Sequence, residues 1–243
     1  MTPLVAIVAG LAAIALGTLL LRAYGPRLRV GRLLAVTPAV TIAQARALAA
    51  RGGRPYVRVE GRVDADEDFP DEHARPLVFR RRRLEVRAGR AWRAVDDRRE
   101  HVPFRVREGL EAIDVDVDAL DLGLVTLVRE STGTAAEVAA ALGDAAVAGV
   151  PAATPARLRV EQLSAVEHAT VLGVPVAGAD GRVAMTAGAG RPLVVSVLER
   201  DEAMRVLAEG RRARPIAAAV ALSAGLALLG LGLAWALLAG GIG

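Results

Sequence analysis

Two long apolar runs near the ends of the chain dominate its hydrophobic pattern. Residues 216–238 carry no charged side chain, and residues 4–21 form a second uncharged run. A helix of about 20 apolar residues is long enough to cross a hydrocarbon core of about 30 Å. The pattern therefore predicts two transmembrane helices that enclose everything between them.

The charges beside these runs predict an orientation. Arginines follow the first run and precede the second, whereas the outer ends have none: Arg22, Arg27, Arg29, Arg32, Arg211, Arg212 and Arg214. Because basic flanks stay in the cytoplasm, the sequence predicts a cell-membrane protein with two spans and with residues 23–214 in the cytoplasm. A cleaved signal peptide is the alternative for the first run. It is disfavoured because no basic segment precedes the run and no small-residue cleavage site follows it.

Small residues recur at helical spacing in both runs. Such residues let two membrane helices approach closely, so a packed pair of helices is expected, with two independent anchors as the alternative. The small residues concerned are Gly10, Ala13, Gly17, Ala218, Ala221 and Gly225.

Between the runs, apolar and polar positions alternate over short segments, as is typical of β-strands. Strands are predicted near residues 56–63, 77–87, 91–95, 102–106, 112–117 and 124–128, and again near 157–163, 167–176, 183–186 and 192–198. Short strands at this spacing favour a small barrel or sandwich. The predicted fold is a membrane protein with N- and C-terminal transmembrane helices that flank a β-rich α+β domain, barrel- or sandwich-like, in two halves.

Two capping boxes predict helix starts, one at Thr41 with Gln44 and one at Thr134 with Glu137. A further amphipathic helix is predicted at residues 199–209. The expected division is transmembrane helix 1 at residues 1–22, a basic linker at 23–36, the first β-rich half at 37–130, the second half with flanking helices at 131–210, and a basic flank with transmembrane helix 2 at 211–238.

Composition narrows the chemistry. The chain has no Cys, which excludes disulfides, thiol nucleophiles and Cys-ligated zinc or iron–sulfur sites. All 31 basic residues are Arg, and Asn is absent as well. Because the Lys and Asn codons are AT-rich, this usage indicates a GC-rich, prokaryotic genome.

Candidate metal and catalytic residues have simpler structural explanations. Asp114, Asp116, Asp118 and Asp121 resemble the start of a calcium loop, but Ala119 and Val125 replace its Gly and Glu, so a half-buried strand is favoured. His73, His101 and His168 are scattered, and Ser196 lacks the surroundings of a hydrolase nucleophile. No cofactor, zinc or calcium is expected.

The densest charge is an arginine run formed by Arg80, Arg81, Arg82 and Arg83. In a strand, Arg80 and Arg82 share one face while Arg81 and Arg83 share the other. A solvated edge strand is one interpretation. A surface for anionic lipid headgroups or for a partner is another. Nucleic acid is disfavoured, because the net charge is only +4 and aromatic residues make up 3% of the chain.

One set of motifs resembles a known family. Trp92 is followed by Val102, Pro103 and Phe104, then by the strand at residues 113–117, and then by Asp121, Leu122 and Gly123. This order resembles the GIDE-type, or beside-a-membrane, domain of mitochondrial membrane-anchored E3 ubiquitin ligases and their prokaryotic relatives. The segments at residues 59–61, 171–176 and 195–201 also resemble that family, so the likeness extends over residues 37–235.

The resemblance implies a domain that recognises partners at a membrane surface. The eukaryotic ligases transfer ubiquitin through a RING finger of Cys and His zinc ligands, and this chain has no Cys, so no ligase residue carries over. We therefore expect a partner-binding or scaffolding module without catalysis of its own, with an unidentified protein partner. The alternative is an E3-ligase-like membrane protein that needs a RING supplied by a separate chain.

Overall fold

The computed structural model describes residues 3–120, 123–142, 147–199, 202–203 and 213–240 of the 243-residue chain. Contacts divide the chain into two compact units. Met1–Leu33 together with Met204–Gly243 form the first, which is helical where it is described, and Leu34–Ala203 form the second, which contains the strands. The helices are α1 (Pro3–Val36), α2 (Ile42–Ala50), α3 (Ala135–Leu142) and α4 (Ala213–Gly240).

One helix in the described part of the chain is long and apolar enough to cross a membrane, and it is Ile216–Ala236 within α4. The apolar part of α1 is only Leu4–Leu20. At 1.5 Å per residue that stretch reaches about 25 Å, short of a hydrocarbon core of about 30 Å. The helix then continues to Val36 through several arginines. The prediction of two transmembrane helices is therefore wrong, and one candidate span remains.

The two helices of the first unit contact each other at their glycines. A Cβ atom added at Gly10 would lie 2.8 Å from the carbonyl oxygen of Gly225, and one added at Gly17 would lie 2.7 Å from Cγ of Leu222. Ala218 is fully buried. The small residues thus allow the close helix packing that their spacing predicts.

The second unit contains twelve strands among its described residues. They are β1 (Val57–Asp64), β2 (Phe69–Pro70), β3 (Pro76–Ala88), β4 (Ala91–His101), β5 (Phe104–Glu108), β6 (Glu111–Val115), β7 (Leu124–Val125), β8 (Arg129–Thr134), β9 (Pro155–Ser164), β10 (His168–Ala177), β11 (Val183–Thr186) and β12 (Val194–Ser196). The predicted β-rich domain is confirmed. The predicted helix at residues 199–209 lies mostly outside the described residues.

Five of these strands close into a barrel. The order is β1, β5, β6, β11, β10, and β10 pairs again with β1. All neighbours are antiparallel except β6 and β11, which are parallel. In chain order the first strand pairs with the second and fourth, and the third pairs with the fifth. This is the topology of an OB-type Greek-key barrel.

Two insertions into the barrel build a second sheet. The connection from β1 to β5 supplies β2, β3 and β4, and the connection from β6 to β10 supplies β8, α3 and β9. The short β7 lies in the same connection but pairs with β12 in the first sheet. The main order of the second sheet is β4, β3, β9, β8, with the short β2 beside β3. Each sheet takes strands from both sides of residue 130, so the sheets do not follow the predicted division into two halves.

The barrel core continues into the base of the second sheet. Val59, Val171 and Met185 fill the barrel interior, and Phe79 and Leu163 extend the same cluster from β3 and β9. Helix α2 covers this core with Ile42 and Ala45, both completely buried. A smaller cluster of Leu84, Val86, Val138 and Ala156 packs α3 against the second sheet.

The predicted capping boxes are confirmed. The Thr41 hydroxyl accepts from the Gln44 N–H while the Gln44 side chain accepts from the Thr41 N–H. Thr134 and Glu137 exchange the same pair of hydrogen bonds before α3. The predicted strand through Val117 is wrong, because β6 ends at Val115 and a 3-10 helix follows at Val117–Ala119.

Gly123 shows how closely the backbones pack, and a substitution there tests the fold. A Cβ atom at Gly123 would collide with the carbonyl oxygen of Leu193. We expect Gly123→Ala to destabilise the protein by about 1–3 kcal/mol, because backbone cannot give way as a side chain tip can. Thermal unfolding of the detergent-solubilised full-length protein measures this loss. Gly230→Ala is the control, because nothing lies within 4 Å of its added Cβ. Equal melting temperatures for the two variants would contradict the close approach.

Candidate functional site

The arginine run lies in the middle of the second sheet. β3 pairs with β4 along one edge and with β9 along the other. The interpretation as a solvated edge strand is therefore wrong. The register does confirm the alternation of faces, because Arg80 and Arg82 stand opposite Glu100 and Arg98 while Arg81 and Arg83 stand opposite Arg99 and Asp97.

Carboxylates on β4 neutralise much of this run. Arg81 is buried and donates two hydrogen bonds to Asp97, at 2.8 and 2.7 Å. The same carboxylate lies 3.3 Å from Arg83, and Arg80 pairs with Glu100. The hydrogen bond from Arg81 lowers the pKa of Asp97 despite its partial burial. The sheet therefore uses these charges internally, and contact with lipid or a partner stays a prediction for this run.

The family-motif residues occupy several places. Trp92 lies on β4, where guanidinium groups of Arg87 and Arg157 stand over its ring at 5.4 and 4.5 Å. Val102 and Pro103 connect β4 to β5, and Phe104 begins β5 with its side chain in the barrel core. Gly123 sits against β12. Asp121 and Leu122 lie outside the described residues.

A cleft opens at the edge of the barrel beside two of these motif residues. Its volume is about 170 Å³. The walls come from the end of β1, the start of β5, the end of β6 and the turn between β10 and β11: Asp64, Ala65, Asp66, Pro103, Phe104, Arg105, Asp114, Val115 and Arg182. In an OB-type barrel this is the face of the second and third strands, between the two loops that usually hold a ligand.

The charges in the cleft form a small network. Arg105 donates from Nε to Asp64 at 2.7 Å and also pairs with Asp66, while Arg107 donates to Asp64 at 2.6 Å. Hydrogen bonds from Arg105 and Arg107 lower the pKa of Asp64. Asp64 is therefore ionised at neutral pH. The network fixes the guanidinium of Arg105 at the cleft wall, where it can pair with a carboxylate of an incoming chain.

Two exposed side chains border the cleft. The side chain of Asp66 is 83% exposed and that of Arg182 is 76% exposed. They carry opposite charges, so the rim offers both an acceptor and a donor. The sequence pattern missed this site, because residues 64–66 read only as the start of an acidic loop and Arg182 as part of a hairpin turn. What brings them together is the pairing of β1 with β5 and of β6 with β11.

The rest of the acidic loop is ordered around one carboxylate. Asp71 is buried and accepts from the backbone N–H groups of His73 and Arg75 and from the Arg75 side chain. Burial works to raise the pKa of Asp71, but these hydrogen bonds outweigh it and lower the pKa to about 2. The order that this carboxylate gives the loop is present above a pH of about 4 and is lost as the pH falls towards 2.

Other candidate residues play structural roles. Within the described part of the chain, no group of three or more His, Asp or Glu side chains is arranged to hold a metal ion. Asp116 caps the 3-10 helix and accepts from the Thr186 hydroxyl at 2.6 Å. Ser196 is buried and bonds to the backbone of Leu198.

Comparison of the chain with models of protein families, with characterised proteins and with solved structures found no match. The class of molecule is therefore defined by the structure alone. It is an OB-type barrel with an inserted sheet, in a chain that also carries one helix able to cross a membrane.

The pair of Arg81 and Asp97 provides a test of the second sheet. We expect Asp97→Asn to destabilise the protein by about 2–3 kcal/mol, because it weakens the compensation of a buried guanidinium charge. Asp96→Asn is the matched control, because the two carboxylates are similarly exposed, at 25% and 30%, while the partner of Asp96 is Arg98, whose side chain is 54% exposed against 9% for Arg81. Such a surface pair contributes at most about 1 kcal/mol. Chemical denaturation in detergent measures both, and an equal loss in the two variants would contradict the assignment.

Proposed function

We propose that this chain is a membrane-anchored binding module, a scaffold with no catalysis of its own, that takes a protein partner at the barrel cleft. The observation that carries the proposal is the position of the cleft. It lies on the face and between the loops where OB-type barrels place their ligands, and charged side chains from four segments converge on it. A fold alone does not define a function, so the argument rests on this site.

The chemistry of the cleft favours a protein over a nucleic acid. Three carboxylates and two arginines line it: Asp64, Asp66, Asp114, Arg105 and Arg182. A groove for a phosphate backbone needs an excess of positive charge and exposed aromatic rings. The one aromatic side chain in the lining, Phe104, is only 4% exposed. A polypeptide that carries both acidic and basic side chains matches the mixed charges of this wall better than a nucleic acid does.

The resemblance to GIDE-type domains agrees with this proposal. That family holds a domain beside a membrane to recognise partners, and Pro103 and Phe104 of the shared motif form part of the cleft wall. The anchor proposed here is the single helix Ile216–Ala236. Arg211, Arg212 and Arg214 precede it and residues 237–243 carry no charge, so the proposal assigns the residues before the helix to the cytoplasm.

The orientation can be tested with reporters. An enzyme that works only after export, fused after Gly243, should be active, because the uncharged end of the anchor faces away from the cytoplasm. The same reporter inserted at Asp68 in the acidic loop should be inactive. The opposite pattern would reverse the orientation, and activity at neither site would remove the transmembrane anchor.

The cleft can be tested by reversing its rim charges. The double variant Asp66→Arg with Arg182→Glu keeps the net charge and changes two highly exposed side chains. Quantitative mass spectrometry of the full-length protein purified in mild detergent should show a recurrent protein that this variant loses. Arg129→Glu on β8 is the control and should retain it.

Two outcomes would contradict partner binding at the cleft. Retention of the partner by the double variant would remove the cleft as its site, and loss from both variants would show that the binding is not specific to the cleft. A recurrent subunit that carries a zinc-binding RING would instead support the ligase-like alternative.

A further inference from the structure

The tip of the hairpin formed by β3 and β4 concentrates positive charge. Residues 87–93 contain Arg87, Arg90 and Arg93 with Trp92 and no acidic residue. All of them are exposed except Trp92, which is half-buried. Among the described residues, neither Arg90 nor Arg93 makes an ion pair. The tip thus differs from the arginine run on the same strand, which pairs with Asp97 and Glu100.

The other long hairpins of the unit do not share this charge. The turn between β5 and β6 carries Glu108 and Glu111 and is acidic, and the turn between β10 and β11 carries Asp180 and Arg182 and is neutral. A general need for solubility would distribute basic residues over all exposed turns. One other exposed turn, at residues 51–54, carries Arg51 and Arg54 without an acidic residue, so the hairpin tip is distinguished by having Trp92 among its arginines.

Trp92 gives the tip an interfacial character. Its ring is held by two guanidinium groups, and Arg157 is itself fixed by Glu85, which accepts from its Nε at 2.6 Å. Glu85 is itself buried, so Arg157 is held beside Trp92 by an ordered part of the sheet. An aromatic ring of mixed polarity beside arginines is the combination that favours the headgroup layer of a bilayer.

The same chain carries the candidate membrane helix, so the strand-containing unit is tethered to the bilayer in which that helix would be anchored. From Ser196 at the end of β12 to Ala213 at the start of α4 the chain advances by 17 residues, which span at most about 60 Å when fully extended. A tethered surface meets its target at a high effective concentration, so a few weak contacts are enough. Each basic residue at an anionic surface favours binding about fivefold, and the contribution decays within a Debye length of about 8 Å.

We propose that this hairpin tip docks on the anionic headgroups of the membrane in which α4 is anchored. The inference rests on the anchoring part of the proposed function and is independent of the cleft. It assigns lipid contact to Arg90 and Arg93 with Trp92, and lipid contact of the arginine run stays a separate prediction. Docking at the tip leaves the charge network of the cleft unchanged.

The test uses the full-length protein with Trp92 as its only tryptophan. Because the chain has two tryptophans, Trp235→Phe leaves Trp92 as the reporter. The protein is reconstituted in nanodiscs of phosphatidylcholine alone or of an equal mixture with phosphatidylglycerol, each with lipids brominated near the headgroup. We expect bromine to quench Trp92 in the mixed discs, little in the neutral discs, and less as salt is raised.

Substitutions at the tip then separate local docking from overall charge. Arg90→Gln with Arg93→Gln should lower the ratio of docked to free tip about fivefold for each arginine removed. Arg51→Gln with Arg54→Gln removes the same charge from exposed positions near α2 and should leave the quenching unchanged. Emission of Trp92 in detergent checks that both variants fold, because neither tip arginine stacks on its ring.

Three results would overturn the proposal: equal quenching in neutral and anionic discs, equal loss from the two variant pairs, or protection of Trp92 from an aqueous quencher by a single-stranded oligonucleotide but not by anionic lipid. The last result would assign the tip to nucleic acid. Failure here with the partner still bound at the cleft would leave the proposed function intact.

Discussion

The barrel of this protein closes only because β1 is paired along both of its edges. β1 bonds to β10 over six residue pairs and to β5 over three. Full pairing leaves no open edge at this point, which is how a small sheet avoids exposing backbone groups. β5 can approach β1 because Gly61 has no side chain, since a Cβ there would collide with the carbonyl oxygen of Arg107. The cleft residues Asp64 and Arg105 are neighbours across this same pairing, so closure also builds the site.

The second sheet does not close into a barrel, so its outer strands keep unpaired edges. β4 and β8 remain as edge strands, and both are largely exposed. Charges on these strands hinder pairing with another chain. On the central strand β3, by contrast, Arg81 is buried and its charge is compensated by Asp97. The bulge at Val95, between the partners of Leu84 and Glu85, further twists the edge strand and disrupts its ladder.

Sequence patterns predicted the local elements well and the long-range pairings poorly. The capping-box hydrogen bonds between Thr41 and Gln44, and between Thr134 and Glu137, join residues three apart, so the local sequence is enough to predict them. The alternation of Arg80 to Arg83 likewise predicted which faces they take. Nothing local marks β3 as a central strand, because β4 follows it in a hairpin but β9, which pairs along its other edge, lies about 80 residues away along the chain. The cleft was missed for the same reason.

The first apolar run shows why length must be weighed together with its flanks. A stretch of small apolar residues looks like a span until its reach is compared with the bilayer, and Leu4–Leu20 is too short. The contact of Gly10 with Gly225 then gives these small residues a different role, which is to let α1 pack against α4.

The dimensions of the cleft limit what it can bind. Pockets that enclose a small molecule measure about 300–1,000 Å³, whereas this cleft measures about 170 Å³. That volume suits one or two side chains of a partner rather than an enclosed ligand. A site of this size gives weak binding in free solution, since association must first offset the lost freedom of both partners. Confinement to a membrane raises the effective concentration of partners that share it. The two parts of the proposed function are therefore complementary: an anchor at Ile216–Ala236 would raise the rate of encounter, and a small polar cleft would then need only to select the partner.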